Sequence, residues 1–178
     1  ARSLAVNIRD GALFSAGSDG RLLKWTQFVD NAASIPIIKN SSINRIVAVS
    51  RNGKWLICAC EGTGIQVFDI SNLANKEQIF NAHENRVRSI ALYNDNQQML
   101  TSGIDNVILK WDLTTGLNQT FYNLDSPAQT IAISADDRNV AVGTRNGNLI
   151  LFKGATAQPN ILFNEPDNQI LSVAFTRE

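Results

Sequence analysis

A repeat of about 42 residues runs through the chain and constrains its fold more than any other feature. Aromatic residues end apolar runs at spacings of 43, 43 and 41 residues, at Trp25, Phe68, Trp111 and Phe152. Alanines flanked by two apolar residues recur at spacings of 43, 43, 41 and 42 residues, at Ala5, Ala48, Ala91, Ala132 and Ala174. Two series that keep the same period over most of the chain predict a repeat architecture.

Each repeat contains three or four short runs of β-favouring residues separated by turn sequences such as Ser18-Asp19-Gly20 and Arg51-Asn52-Gly53. The first run of each repeat contains a continuous apolar stretch, such as Ile90-Ala91-Leu92 in the third, which is typical of a strand packed on both faces. In the third repeat these runs predict four strands, over Val87–Tyr93, Gln98–Ser102, Val107–Asp112 and Gln119–Asn123. Four strands in a period of about 42 residues predict an all-β fold built of antiparallel β-propeller blades.

The repeats predict one domain over 1–178, with blades at roughly 1–40, 41–83, 84–124 and 125–166 and the start of a fifth at 167–178. The sequence begins in an inner strand, Ser3–Ile8, and ends in one extra inner strand, Ile170–Thr176. An open arc of four blades would expose apolar flanks, which a monomer seldom leaves bare. We therefore expect either the remainder of a longer propeller or a homodimer that closes a ring.

Composition excludes several classes of protein. With 44% hydrophobic and 18% charged residues, the chain resembles ordinary folded proteins and not disordered ones. Sixteen Lys and Arg balance sixteen Asp and Glu, so we expect no nucleic-acid partner. No apolar run approaches the roughly 18 residues of a membrane span, and residues 1–10 lack a signal-peptide core. These features favour a soluble, cytoplasmic form.

The third repeat resembles the WD-repeat family. It has His83, then Ser89-Ile90-Ala91-Leu92, Leu100-Thr101-Ser102-Gly103, Asp105, and a run that ends in Trp111-Asp112-Leu113. The resemblance implies a structural network of four side chains, His83, Ser102, Asp105 and Trp111. It identifies a fold and leaves the function open.

The other repeats match the WD pattern less completely. The first has Ala16 where the pattern has serine. The second and fourth depart at several positions of the network: Asn40, Ala59, Gly62 and Phe68 in the second, and Leu124, Val142, Arg145 or Asn146, and Phe152 in the fourth. These three blades are expected to rely more on apolar packing.

Catalytic and metal chemistry find little support in the sequence. His83, Ser102 and Asp105 are the residue types of a hydrolytic triad, yet they occupy structural positions of the WD pattern, and no Gly-x-Ser-x-Gly motif occurs. A propeller-based hydrolase is therefore the third and least favoured function, and we expect no enzyme activity. One histidine and two cysteines cannot assemble a known metal-ligand spacing, so we expect no metal and no cofactor.

The two cysteines, Cys58 and Cys60, stand two apart in an apolar, strand-like run. We expect their side chains to point to opposite faces of the strand, so that they do not bridge each other. Free cysteine is often buried as a small hydrophobe, and we expect both to pack in the core.

By the same resemblance, Arg45, Arg86 and Arg145 fall in loops that open onto one rim of the propeller. Arginine is enriched in binding hot spots and makes bidentate contacts with carboxylates. Five polar residues are expected to share this rim: Asn44, Glu61, Asn106, Asp125 and Asn148. The favoured function is a non-catalytic scaffold that binds a protein or peptide through its rim or channel.

A membrane-surface adaptor that binds phosphoinositide headgroups is the alternative function. Strand alternation places the arginines of Arg86-Val87-Arg88 on the same side, as a headgroup site would need. No adjacent Arg-Arg pair or basic loop follows them, so membrane binding is the less favoured of the two.

Overall fold

The computed structural model shows an all-β chain, as predicted. It describes residues 1–26, 34–39, 43–61, 64–73, 78–80, 83–84, 86–154 and 158–176. Within these ranges sixteen strands form four antiparallel sheets of four strands each, and in every sheet the strands pair in chain order. No helix in the described ranges has the length and apolar character needed to cross a lipid bilayer.

Each sheet is one blade. The first blade is β1 Ser3–Val6, β2 Leu13–Ala16, β3 Arg21–Trp25 and β4 Ser34–Lys39. The second is β5 Asn44–Val49, β6 Trp55–Cys60, β7 Gly64–Asp69 and β8 Gln78–Phe80, with a 3-10 turn at Ile70–Asn72. The third is β9 Val87–Leu92, β10 Gln98–Gly103, β11 Val107–Asp112 and β12 Asn118–Asn123, and the fourth is β13 Ala128–Ile133, β14 Asn139–Thr144, β15 Asn148–Lys153 and β16 Pro159–Asn164. The four strands predicted for the third repeat are confirmed to within one residue at each end.

The blades form two compact units, residues 1–82 and 83–178, each containing two blades. The first unit has an apolar core that includes Phe14, Leu22, Leu56 and Phe68. In the second unit one core draws on both blades, as shown by Leu100 and Ile108 of the third blade and Val142, Ile150 and Phe152 of the fourth. Burial of these faces against a neighbouring blade holds each pair of blades together.

A serine in the inner strand links the two blades of each unit. In the first unit the Ser3 hydroxyl accepts a hydrogen bond from the backbone N–H of Val47, at 3.2 Å. In the second unit the Ser89 hydroxyl accepts one from the backbone N–H of Ile131, at 3.0 Å. The inner strands of paired blades therefore lie side by side, with residues one repeat apart facing each other.

The turns between the first two strands of the second and fourth blades are fixed by the same contacts. Ser50 donates to Asn52 at 2.7 Å and accepts from the backbone N–H of Trp55 at 2.8 Å. Ser134 donates to Asp136 at 2.6 Å and accepts from the backbone N–H of Asn139 at 2.9 Å. A side chain that both donates and accepts inside the turn sets the strand register.

The extra inner strand expected over Ile170–Thr176 is not formed. The backbone N–H of Ile170 donates to the carbonyl oxygen of Thr144, at 3.1 Å, but 165–176 belong to no sheet. A strand is stabilised by a ladder of hydrogen bonds to a neighbouring strand. The described residues after Asn164 supply no further strand to complete one.

The expectation that the two cysteines point to opposite faces is wrong. Side chains alternate along a strand with a period of two, so residues i and i+2 share a face. Cys58 and Cys60 of β6 accordingly place their Sγ atoms 3.6 Å apart, and both thiols are buried and outside any disulfide.

Replacement of Ser89 by alanine tests the link between the third and fourth blades. The variant leaves the Ile131 N–H without its acceptor in a partly buried interface, which costs about 1–3 kcal/mol. We expect chemical denaturation to show a lower free energy of unfolding for Ser89→Ala, whereas Ser172→Ala, at an exposed serine of the same unit, leaves it unchanged. Equal stability of the two variants would contradict this role for Ser89.

Candidate functional site

A chain of hydrogen bonds runs through the third blade. The indole Nε1–H of Trp111 donates to Oγ1 of Thr101 at 2.8 Å. Nε2 of His83 lies 2.8 Å from the same oxygen, and its Nδ1 lies 2.9 Å from Oδ2 of Asp105. The side chains of His83 and Asp105 are 3% and 9% exposed, so this hydrogen-bond network is almost closed to solvent.

The partners assign the histidine protons. An ionised carboxylate only accepts hydrogen bonds, so Nδ1 of His83 carries the proton that it donates to Asp105. Nε2 then accepts from the hydroxyl of Thr101, which in turn accepts from Trp111. With this tautomer, the side-chain polar atoms of His83, Thr101 and Trp111 all have partners.

Thr101, and not Ser102, supplies the hydroxyl of the network. Ser102 points to the other face of β10, where its hydroxyl donates to the backbone carbonyl of Ala128 in the fourth blade, at 3.2 Å. Thr101 shares a face with Trp111, because Trp111 pairs with Met99, two residues before Thr101 on the same strand. The prediction was wrong by one residue, which in a strand moves the side chain to the opposite face.

A spacing of ten residues is the signal that would have found the correct hydroxyl. Thr101 lies ten residues before Trp111, and in the first blade Ser15 lies ten before Trp25. Nε1 of Trp25 donates to Oγ of Ser15 at 2.9 Å, so Ser15 takes the role expected at Ala16.

Gly103 gives the network room. A Cβ atom at this residue would stand 2.7 Å from Nδ1 of His83 and would also collide with the carboxylate of Asp105. In the first blade, a Cβ atom at Gly17 would likewise collide with the carboxylate of Asp19. Because these glycines have no side chain, the carboxylates of Asp105 and Asp19 can lie directly against the turns that contain them.

This arrangement cannot act as a hydrolytic triad. Ser102 is directed away from His83, and Thr101, which does contact the imidazole, is fully buried and engaged with Trp111. A nucleophile must reach the carbonyl carbon of a substrate. The histidine, threonine and carboxylate therefore stabilise the blade.

Asp112, which follows Trp111, lies outside the network and caps the next turn. Its Oδ1 accepts from the hydroxyl of Thr114 at 2.5 Å and from the backbone N–H groups of Thr114 and Thr115 at 2.8 and 2.9 Å. The Thr114 hydroxyl and these N–H groups lower the pKa of Asp112 to about 2. The ionised carboxylate therefore holds the turn into β12.

The predicted rim residues of the second unit lie at one end of its two blades. Arg86 precedes β9, and its backbone carbonyl oxygen accepts a hydrogen bond from the backbone N–H of Ile104 at 3.0 Å, which brings the start of β9 beside the β10–β11 turn. The backbone N–H of Arg145 bonds to the carbonyl of Pro127 at 2.9 Å, in the same way, in the fourth blade. Arg145 is exposed and Arg86 is half-buried.

The polar neighbours in this unit occupy the same end. Asn106 directly precedes β11, Asn148 begins β15, and Asp125 is exposed just before β13. The Oδ1 atoms of Asn106 and Asn148 are buried and accept no hydrogen bond from the part of the chain that the structure describes. We call these residues, together with Arg86 and Arg145, the turn-end surface.

In the first unit, Arg45 and Glu61 form a salt bridge at this end of the second blade. Nη2 of Arg45 lies 2.8 Å from Oε2 of Glu61, with side chains 21% and 34% exposed. Asn44 pairs with Cys60 in the β5–β6 ladder, and its side chain lies outside the described residues. Two further predicted positions of this blade's network, Asn40 and Gly62, also lie outside them.

In the fourth blade the turn is held by Asn146 and not by Arg145. Oγ1 of Thr144 donates to Oδ1 of Asn146 at 2.6 Å and accepts the backbone N–H of Asn148 at 2.9 Å. Of the two residues proposed for the aspartate position, Asn146 therefore has the structural contact, and Arg145 projects into solvent.

Comparison with known proteins agrees with this architecture. The sequence profile described as "WD domain, G-beta repeat" matches residues 74–112. Cilia- and flagella-associated protein 57 of Mus musculus is 30% identical over 95 residues, which are 52% of this chain and 8% of that protein. Protein LST8 homolog of Drosophila pseudoobscura pseudoobscura is 21% identical over 169 residues, 92% of this chain and 53% of its own length.

A guanine nucleotide-binding protein subunit beta from Zea mays is 23% identical over 146 residues, 78% of this chain and 37% of that subunit. The chain thus spans about half or less of the length of these relatives. The similarity to the LST8 homolog extends over nearly the whole chain, so it includes repeats that the family profile does not match.

Alanine substitutions test whether the buried network contributes more to stability than an exposed residue of the turn-end surface. Truncation of a large buried aromatic residue costs about 3–5 kcal/mol, whereas an exposed substitution usually changes stability by no more than about 0.5 kcal/mol. We expect Trp111→Ala and Asp105→Ala to lower the free energy of unfolding far more than Arg145→Ala in chemical denaturation. If Arg145→Ala is the least stable of the three, the placement of Arg145 in an exposed turn is wrong.

The turn at Asp112 gives a prediction about pH. Because folding lowers the pKa of Asp112, its ionised form stabilises the protein above the ordinary aspartate pKa of about 4, and this contribution is lost as the pH falls through about 2. Thr114→Ala removes the largest cause, so we expect the Asp112 pKa to rise towards its ordinary value in an NMR titration. The lowered pKa of Asp136, which depends on Ser134, is the internal control and stays unchanged.

Proposed function

Because the chain belongs to the WD-repeat family, we propose that it is a non-catalytic scaffold that holds a protein or peptide partner at the turn-end surface. The side chains of the polar network in the third blade are buried and hydrogen-bonded to one another, so they are not available to contact a ligand. On the turn-end surface, by contrast, Asp125 and Arg145 are exposed to solvent.

The observation that carries the proposal is the pair of asparagine oxygens on this surface. Asn106, in the turn before β11, and Asn148, the first residue of β15, each have a buried Oδ1 without a hydrogen-bond donor among the described residues. Buried polar atoms are usually satisfied, by protein, by water or by a ligand. Rotation of each side-chain amide would turn its oxygen outward, where a backbone N–H group of a bound segment would donate to it.

The turn-end surface carries both positive and negative side chains, which suits a peptide that also carries both signs of charge. Arg86 and Arg145 offer planar donors to carboxylates, and Asp125 lies exposed at the start of the fourth blade. A surface with both signs of charge and amide groups selects a partner by complementarity and not by a general attraction to polyanions. The name of the Zea mays relative, a subunit, is consistent with a role in an assembly.

The lipid alternative has weaker structural support. Arg86 and Arg88 flank Val87 at the start of β9, but both side chains are half-buried. A headgroup site draws on basic side chains that reach the membrane plane. The accompanying asparagines and aspartate favour a protein segment.

Charge reversal on the rim tests the proposal. We expect Arg86→Glu and Arg145→Glu to slow association with a partner recovered from lysate, because each adds repulsion and removes a contact. The loss of affinity should grow as ionic strength is lowered, since screening weakens. Binding is measured by surface plasmon resonance at two salt concentrations.

Arg138→Glu is the matched control, since Arg138 is an exposed arginine in the turn at the opposite end of the fourth blade. It should bind as the wild type does, and circular dichroism should show that all three variants stay folded. If Arg138→Glu weakens binding and both rim variants do not, the partner occupies the opposite end of the blades. If only anionic liposomes retain the chain in flotation, the lipid alternative replaces the scaffold.

A further inference from the structure

Three soft or neutral donor atoms converge inside the second blade. Sγ of Cys58 and Sγ of Cys60 lie 3.6 Å apart on one face of β6. Oε1 of Gln66, on the adjacent strand β7, lies 3.2 Å from Sγ of Cys60. The three residues are 0%, 7% and 4% exposed, so the cluster is buried in the blade core.

Strand pairing explains why the three side chains meet. Cys58 is directly opposite Gln66 in the β6–β7 ladder, and Cys60 is opposite Gly64. Cross-strand partners share a face, as do residues two apart on one strand. Because Gly64 has no side chain, the amide of Gln66 can extend along this face to Cys60.

Gln66 is unusual in its position. Its neighbours Ile65, Val67 and Phe68 on β7 are buried and apolar, as the core of the blade requires. An amide placed there loses its hydration and must find partners inside the protein. The described partner of its oxygen is the thiol of Cys60.

The distance between the two sulfur atoms is close to that between two thiolate ligands of one tetrahedral metal ion. With Zn–S bonds of about 2.3 Å and a tetrahedral angle, two thiolates on one zinc ion lie about 3.75 Å apart. The observed 3.6 Å requires a movement of only a small fraction of an ångström. Thiolate ligands select ions of the Zn²⁺ and Cu⁺ type over hard cations such as Mg²⁺.

We propose that Cys58, Cys60 and Gln66 form a binding site for one thiophilic metal ion of the zinc type. Oε1 of Gln66, 3.2 Å from Sγ of Cys60, is the third donor of this site. The described residues offer no third His, Cys, Asp or Glu side chain to join the two cysteines in holding a metal ion. Binding exchanges the two thiol protons for the ion, which leaves two thiolates on it. Cys60 ends β6 and retains slight exposure, so the ion enters from that end of the strand.

The test uses the full chain, reduced and stripped of metal, with Zn²⁺ added and Mg²⁺ as the control ion. We expect native mass spectrometry to show one Zn²⁺ per chain and the melting temperature to rise with Zn²⁺ but not with Mg²⁺. Gln66→Leu should weaken Zn²⁺ binding by roughly tenfold or more. The double variant Cys58→Ala/Cys60→Ala should lose it, whereas Ser172→Ala, at an exposed serine, should retain it.

A second readout on the wild-type chain keeps the proposal open to refutation even if the double variant does not fold. Addition of Cd²⁺, a spectroscopic substitute for Zn²⁺, should produce ultraviolet thiolate-to-metal charge-transfer absorption that saturates at one ion per chain. No such absorption, or equal Zn²⁺ binding by the folded double variant, would show that the two cysteines serve only as core packing.

Discussion

A four-stranded blade has two apolar faces, and the burial of both is the constraint on which the rest of the structure depends. Phe152 of the fourth blade is fully buried, with the rings of Phe121 and Tyr122 of the third blade edge-on at 5.2 and 5.1 Å between centroids. Complete burial of such a side chain contributes about 1.5–3 kcal/mol. The corresponding residues of the fourth blade, Leu162 and Phe163, are 53% and 50% exposed, since no described blade covers them.

Apolar packing alone does not fix the alignment of strands inside a blade. In the two blades whose third strand carries a tryptophan, a side-chain hydrogen bond joins that strand to the second one. An indole N–H that is buried needs an acceptor. Trp111 finds it in Thr101 and Trp25 finds it in Ser15, ten residues earlier in each case. The second and fourth blades use phenylalanine, and the residue ten positions earlier, Cys58 or Val142, is then not a hydroxyl residue. The hydroxyl is therefore present where the indole requires it.

The sequence predicted the strands well because their signal is periodic and repeated. The four strands of the third repeat follow from apolar runs and turn residues that recur every 43 residues or so. The identity of the network hydroxyl was harder, because Thr101 and Ser102 are adjacent and both have the right chemistry. Only the face of the strand distinguishes them, and one residue of error reverses it.

Contacts between strands explain most of what the sequence did not reveal. The hydrogen bond from Ile131 to Ser89 and the approach of Gln66 to Cys60 join residues whose pairing depends on register. The error about the cysteines was of another kind, since strand alternation by itself places residues two apart on one face. Strand alternation would have predicted that pair, whereas Gln66 required the β6–β7 register.

The exposed side chain of Arg145 on the turn-end surface is separate from the contacts that hold the turn beneath it, and this separation allows one fold to present different surfaces. In the third blade Asp105 holds its turn through His83 and the backbone N–H of Glu84. In the fourth blade Thr144 and Asn146 hold the equivalent turn without histidine or carboxylate. Arg145, between them, contributes only its backbone to this arrangement, through a bond from its N–H to the carbonyl of Pro127. Because the backbone bond survives any side chain except that of proline, the residue displayed there is free to match a partner while the blade beneath it stays the same.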